Sequence, residues 1–213
     1  MARPAVKTER RNQILDALFA VMAQSGGAGA SVTEIAERAG VARGALHYFF
    51  TSKDEVVVEL MRRLGGGYLS RLAGWLDQAE ATGRSDVVGG LVRWHFAGDA
   101  DENARLMSVW IDFWGQAQSH PTIQAAVFEV QEAARDLCRR ALLVDQPLFS
   151  ALPAASLRAA GSSLLAIIEG GLLQWRVAFR SSSPLDRTVL SAGLAQAARA
   201  LVHSLASPSH EVA

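Results

Sequence analysis

On the outward side of the stretch between Val41 and Lys53 the side chains are either very small or strong hydrogen-bond donors. Arg43 offers a planar fork that can engage the O6 and N7 edge of guanine bidentately. Its neighbours Ala42, Gly44 and Ala45 are small enough to let the backbone lie close to a partner surface, and His47 and Tyr48 add further polar tips. In helical register Val41, Leu46 and Phe50 fall on the opposite, inward side. That division, apolar inside and small or donating outside, suits a short helix seated in a DNA major groove.

Other chemistries find little support in the residue pattern. The chain has no HExxH, no Glu-x-x-His pair, no phosphate loop and no nucleophile elbow. His95, His120, His203 and His210 are scattered, and Cys138 is the sole cysteine, so neither an intramolecular disulfide nor a cysteine-cluster metal site is available. No metal ligand set, no cofactor motif and no catalytic residues are assigned.

The elements that position these residues are helices throughout, since apolar residues recur at spacings of three and four. A first helix is predicted over about Thr8–Gln24, with Ile14, Leu15, Leu18, Phe19 and Met22 on one side and a stop at Ser25-Gly26-Gly27. Ser31-Val32-Thr33-Glu34 forms a capping box opening a short helix over Val32–Ala39, which ends at Gly40. A second short helix covers Arg43–Phe49. Ser52-Lys53-Asp54-Glu55 is another capping box and opens a long helix towards Glu80. Gly65-Gly66-Gly67 inside it predicts a kink or break at a domain junction, because each interior glycine costs about 1 kcal/mol relative to alanine. Further helices are predicted over Asp86–Gly98, Glu102–Gln118, Pro121–Leu143, Ala154–Arg180 and Pro184–Ala206, the last opened by Ser183-Pro184. The tail Ser207–Ala213 is expected to fray.

A longer helix followed by two short ones around a glycine turn is the pattern of a helix-turn-helix unit. The string from Thr33 to Glu55, with Ile35-Ala36, Ala39-Gly40-Val41, Gly44-Ala45-Leu46 and Phe50-Thr51-Ser52-Lys53, closely resembles the DNA-binding signature of TetR-family transcriptional regulators. The resemblance covers about Lys7–Leu60. It implies that Arg43, Gly44 and Ala45, with Ala42 beside them, face the bases. It implies too that Thr33, His47, Tyr48 and Lys53 hold the sugar-phosphate backbone. Lys53, in the first turn of its helix, and Thr33, in the first turn of the preceding one, sit where free amides and the dipole also favour phosphate. His47 and Phe49 depart from the family pattern, which commonly has tyrosine at 47 and histidine or tyrosine at 49. The basic arm of Arg3, Lys7, Arg10 and Arg11, opposed only by Glu9, adds a backbone or minor-groove contact.

The expected organisation is all-α: residues 1–64 as the helix-turn-helix domain and residues 65–213 as a helical ligand-binding and dimerisation domain. In the second part Trp110 and Trp114 lie one turn apart near Met107 and Ile111. Trp94 and His95 approach from the preceding helix, and Asp112 supplies a carboxylate for a polar or cationic ligand. The same aromatic residues serve equally as core, and Asp112 or Glu169 equally as salt-bridge partners of Arg93 or Arg176. Arg105–Val127 also resembles the branch of the family that responds to choline or betaine aldehyde. The last two helices offer Leu164, Leu165, Ile168 and Leu172 on one face and Leu190, Leu194, Leu201 and Val202 on another, read as a homodimer interface.

Composition sets the bounds. The 213 residues are half hydrophobic, and 21 basic side chains balance 21 acidic ones, so no global charge points to nucleic acid or membrane. Through Leu64 the balance is 9 basic to 7 acidic. The mean hydropathy is +0.14, yet no run of about 18 apolar residues appears, and Leu164–Leu173 is interrupted by Glu169. The N-terminus lacks a secretory segment, so a cytoplasmic protein without membrane contact is expected. The expected function is a DNA-binding transcriptional regulator, a repressor released from a pseudo-palindromic double-stranded operator by a small-molecule effector. The alternative is a helical small-molecule-binding protein that has lost specific DNA binding, a reading that His47 and Phe49 leave open.

Overall fold

Apolar side chains at positions 14, 15, 18, 21 and 22 line one stripe of the first helix, and all five are buried. In the computed structural model, which describes residues 3–25 and 31–206, this helix (α1) spans Arg3–Ser25, longer at its start than the sequence predicts. Pro4 is compatible with that start, since a first-turn residue needs no amide donor. The predicted stop at Gly26-Gly27 and the tail Ser207–Ala213 lie outside the described residues. Helices α2 (Val32–Arg38), α3 (Arg43–Phe49) and α4 (Lys53–Ala81) follow. Then come α5 (Val87–His95), α6 (Ala100–Ala117) and α7 (Pro121–Asp145), a 3-10 turn at Pro147–Ala151 that sequence patterning misses, α8 (Ala154–Ala178) and α9 (Arg187–Ala206). Among the described residues there is no strand.

Two compact units emerge. Met1–Gly67 and Asp101–Val130 form one; Tyr68–Ala100 and Gln131–Ala213 form the other. In the first, α1, α2 and α3 pack on one another around Leu18, Met22, Ile35, Leu46, Phe50 and Leu60. Both predicted N-caps act on their helices. Ser31 Oγ accepts the Glu34 amide and Ser52 Oγ the Glu55 amide, each at 3.1 Å. Glu55, however, reaches back to the amide and hydroxyl of Thr51 rather than to Ser52.

The glycine run does not break α4. Gly65 is instead a contact point: a Cβ there would stand 2.5 Å from Val130 Cγ2 of α7, whereas one on Gly66 would meet nothing within 4 Å. Gly66→Ala is therefore expected to stabilise the protein by about 0.5–1 kcal/mol. At Gly65 the same change is expected to destabilise it by about 1–2 kcal/mol, because overpacking outweighs the gain in helix propensity. Urea unfolding of the two variants checks the opposite signs.

In the second unit α9 packs on α5 and α8. The helix α9 starts at Arg187 rather than Pro184, because Asp186 Oδ1 accepts the amides of Thr188 (2.7 Å) and Val189 (3.1 Å) and so caps it. By length and composition α8 is apolar enough to span a membrane, yet it buries Leu157, Leu164, Leu165, Ile168 and Trp175 inside this unit. The face assigned to a dimer is thereby corrected. Leu164, Leu165, Ile168 and Val202 are buried within the chain, and Leu172, Leu190, Leu194 and Leu201 are partly covered. Hydrophobicity alone selects the core face first. The exposed large apolar residues of these two helices are Leu173, Val177 and Val189, the last two 73% and 70% accessible.

Candidate nucleic-acid interface

The turn between α2 and α3 is set by Gly40, at φ +64°. The Gly40 amide donates to Glu37 O and the Val41 amide to Ala36 O, a Schellman arrangement that closes α2 and redirects the chain. Helix α3 then presents two unlike sides. Leu46 and Phe50 are 1% exposed, whereas Tyr48 is 74% exposed and Ala42, Gly44 and His47 are also open. A Cβ on Gly44 would meet nothing within 4 Å, so its smallness serves no packing inside the chain. Arg43 and Ala45 occupy the first and third positions of α3; their side chains lie outside the described part of the structure. Phe49 is half-buried, its ring edge-on to Tyr48 at 5.1 Å, which agrees with a packing role.

Two further elements flank this face. Thr33 is half-buried in the first turn of α2, and Lys53 is the first residue of α4. The Lys7 ammonium stands 5.7 Å from the centre of the Tyr48 ring, which brings the basic start of α1 to α3. Arg11 behaves differently from Lys7. It turns inward to the Phe49 carbonyl and the carboxylates of Glu55 and Glu59. In sequence nothing separates Arg11 from the arm, because Glu59 and Phe49 lie 48 and 38 residues away along the chain.

Residues 14–60 match the family of bacterial regulatory proteins of the tetR type. Residues 86–206, more than half the chain, match the C-terminal region of BetI-type transcriptional repressors. The chain belongs to the TetR family of bacterial transcriptional regulators. The HTH-type transcriptional regulator BetI of Escherichia coli (strain K12) is 29% identical over 197 residues, which cover 88% of this chain and 91% of that protein. BetI of Burkholderia mallei (strain NCTC 10229) is 26% identical over 191 residues, covering 87% and 90%. Among solved structures, a transcriptional regulator from Pseudomonas aeruginosa PAO1 aligns with a TM-score of 0.71 at 22% identity, covering 93% of this chain and 90% of its own. One from Saccharomonospora viridis, in complex with choline, aligns at 0.69 and 19%, covering 92% and 96%. These structural likenesses carry the all-α fold. As a member of this family, the protein is a DNA-binding transcriptional regulator controlled by a small-molecule effector.

The residues expected to meet an effector in this regulator fall into both compact units. Trp110, Asp112 and Trp114 lie on α6. Trp110 is edge-on to Phe113 at 5.9 Å. Trp114 Nε1 is buried without a hydrogen-bond partner among the described residues. The Asp112 carboxyl is buried and accepts from Gln116 Nε2 at 3.0 Å. Burial raises its pKa, while the Gln116 hydrogen bond and the Lys53 charge pull the other way. Close to Lys53 in sequence, Asp54 Oδ2 is 3.2 Å from His120 Nδ1, so two consecutive residues of α4 feel groups on α6 and the turn after it.

In the second unit Trp94 and His95 join Tyr68, which the sequence reading did not single out. The Trp94 and His95 rings are 4.9 Å apart and nearly perpendicular, and the Tyr68 ring is 6.4 Å from Trp94. His95 Nδ1 is 2.9 Å from the Leu91 carbonyl, an acceptor only, so it carries the proton, and Nε2 accepts from Tyr68 Oη at 2.9 Å. Burial lowers the His95 pKa to about 4, against a smaller opposing effect of the Leu91 hydrogen bond, and keeps the imidazole neutral at pH 7. Burial also pushes Tyr68 far up, Cys138 up to about 12 and Glu169 above the usual carboxylate range. Arg93 is committed to Asp86 at 2.7 Å, and Glu169 is hydrogen-bonded to Gln131. A surface groove of about 530 Å3 between α4 and α7, floored by Leu69, Ala73 and Leu137, contains none of these residues.

Proposed function

We propose that the protein is a homodimeric repressor that releases a pseudo-palindromic operator when a small organic effector binds. Residues 1–64 are its operator-reading part and residues 65–213 its effector-binding and dimer-forming part. Ala42, Arg43, Gly44 and Ala45 approach the bases; Thr33, His47, Tyr48 and Lys53 hold phosphates. The observation that carries this reading is the two-sidedness of α3: Leu46 and Phe50 are sealed in the core while small and donor residues stay open around an unfilled Gly44. Such a face fits a groove that a helix can enter, and base edges there are distinguishable.

The dimer is proposed through the outer faces of α8 and α9, around Leu173, Val177 and Val189. A pseudo-palindromic operator read by a two-fold dimer calls for two α3 helices about 34–36 Å apart, in successive major grooves. The aromatic set Tyr68, Trp94 and His95 is proposed as effector contacts. Trp110, Asp112 and Trp114 are proposed as a second set, with the unpartnered indole donor available to a ligand. Choline is the first probe: the Saccharomonospora viridis neighbour is described with it, and indole and phenol faces attract quaternary ammonium groups. The effector must bind the released conformation more tightly than the DNA-bound one. The links from Asp112 to Lys53 and from His120 to Asp54 give α6 a hold on the first turn of α4. A cytoplasmic location follows from a DNA target.

Fluorescence anisotropy against DNA from upstream of the protein's own gene, with a scrambled duplex at matched salt, tests the reading. Preference for the native duplex, reduced by choline or a related cation, is the expected result. Absence of binding to either duplex at low salt would favour a ligand-binding protein without DNA recognition.

A further inference from the structure

We infer that Arg11 is a positioning residue that fixes the recognition helix α3 against α4, and that it is not itself a DNA contact; the inference rests on the DNA-binding reading above. Three elements meet at its guanidinium. Nη1 donates to the carbonyl of Phe49, the last residue of α3. Nε donates to Glu59 Oε1 at 3.2 Å and Nη2 to Glu59 Oε2, a bidentate pair on α4, with Glu55 Oε1 3.5 Å away. The plane also lies over the Phe50 ring, 4.2 Å from its centre.

Two physical consequences follow. Helix α3 has only seven residues, too few to hold its own geometry, and no side chain caps its start, so its orientation depends on what grips its end. Arg11 is that grip. The other oxygen of Glu55 accepts both the amide (2.6 Å) and hydroxyl (2.7 Å) of Thr51, so the same cluster also fixes the turn between α3 and α4. The second consequence concerns charge. One guanidinium flanked by two carboxylates is a locally acidic group, and Nε, Nη1 and Nη2 are all engaged within the protein. A phosphate gains nothing there, although Arg11 belongs by sequence to the basic arm.

Lysine keeps the charge but cannot span a carbonyl and a carboxylate with one planar fork. R11K should therefore weaken binding to the upstream duplex by about tenfold. Binding to the scrambled duplex and the dependence on salt should stay at wild-type levels. Amide exchange at Phe50 in the DNA-free protein should quicken while exchange in α8 does not change. E59Q should act in the same direction although it makes the surface more positive, which no direct electrostatic effect on DNA predicts. The inference is overturned if R11K binds like wild type while R11M loses affinity and about one unit of salt slope, the mark of a phosphate contact. It is overturned equally if exchange at Phe50 is unaltered in both R11K and E59Q. Should the wild type bind neither duplex, the DNA reading fails, and the exchange measurement alone decides whether Arg11 grips α3.

Discussion

Arg43→Ala is expected to weaken binding to the operator by about 1–3 kcal/mol, roughly ten- to a hundredfold, and to relax preference at one base pair. The argument rests on position. Arg43 is the first residue of α3, two residues after the half-buried Val41, and its neighbours Ala42 and Gly44 are both open. Ala42 and Gly44 put no bulk between the backbone at this point and the groove, so on the proposed reading a fork placed here is expected to reach base edges rather than stop at phosphate. Lys53→Ala makes the contrasting prediction. If the lysine opening α4 holds one phosphate, as proposed, its loss should weaken all duplexes alike and lower the slope of log K against log salt by about one. Anisotropy titrations of both variants at several salt concentrations, on the upstream and scrambled duplexes, separate the roles. Equal loss on both duplexes for Arg43→Ala would show that this residue does not read sequence.

The parts of the molecule legible in sequence are those governed by local rules. Ser31, Ser52 and Gly40 act within four residues of themselves, and the structure has each in the role that its local pattern dictates. The inward set Leu46 and Phe50 follows from helical periodicity alone. What stayed illegible depends on partners distant along the chain. Gly65 looks like a helix breaker until Val130 is known to lie against it. Arg11 looks like one more member of a basic arm until Glu59 and the Phe49 carbonyl are brought to it from 48 and 38 residues away. The apolar faces of α8 and α9 look like a surface for a second copy, yet the chain's own α5 competes for them. Periodicity identifies a buried face without naming what buries it. The effector residues show the same limit, since Trp94 and Trp110 are close in sequence but belong to different compact units.

The longest-range of these partnerships yields the other large effect, because Asp86→Asn should remove an electrostatic tie between α5 and α9. Asp86 precedes α5 in the left-handed region, φ 59°. Its carboxylate accepts from Arg199 Nε (2.8 Å) and Nη2 (2.7 Å) on α9, and from Arg93 Nη2 (2.7 Å). The Arg199 hydrogen bonds are the main reason its pKa falls to about 2, with Arg93 adding to them and burial opposing. Asparagine tolerates the left-handed backbone and keeps the shape, so the substitution isolates the charge. A shift from the ordinary 3.8 corresponds to at most about 2.5 kcal/mol. With the carboxylate 31% exposed and both arginines more so, solvent screening brings the expected loss at pH 7 to about 1–2 kcal/mol. The sign follows from which state takes the proton first. Because the folded value lies below the unfolded one, the unfolded chain protonates Asp86 first as pH falls. The stabilisation is therefore complete above about pH 4 and disappears as pH approaches 2. Urea unfolding of wild type and Asp86→Asn from pH 7 to pH 2 should show two stabilities that differ at neutrality and converge in acid. A difference that persists unchanged to pH 2 would assign the effect to backbone geometry instead of the ion pairs. Since α9 carries part of the face proposed for the second copy, the variant should also shift the monomer–dimer equilibrium towards monomer at pH 7, where sedimentation reads it directly.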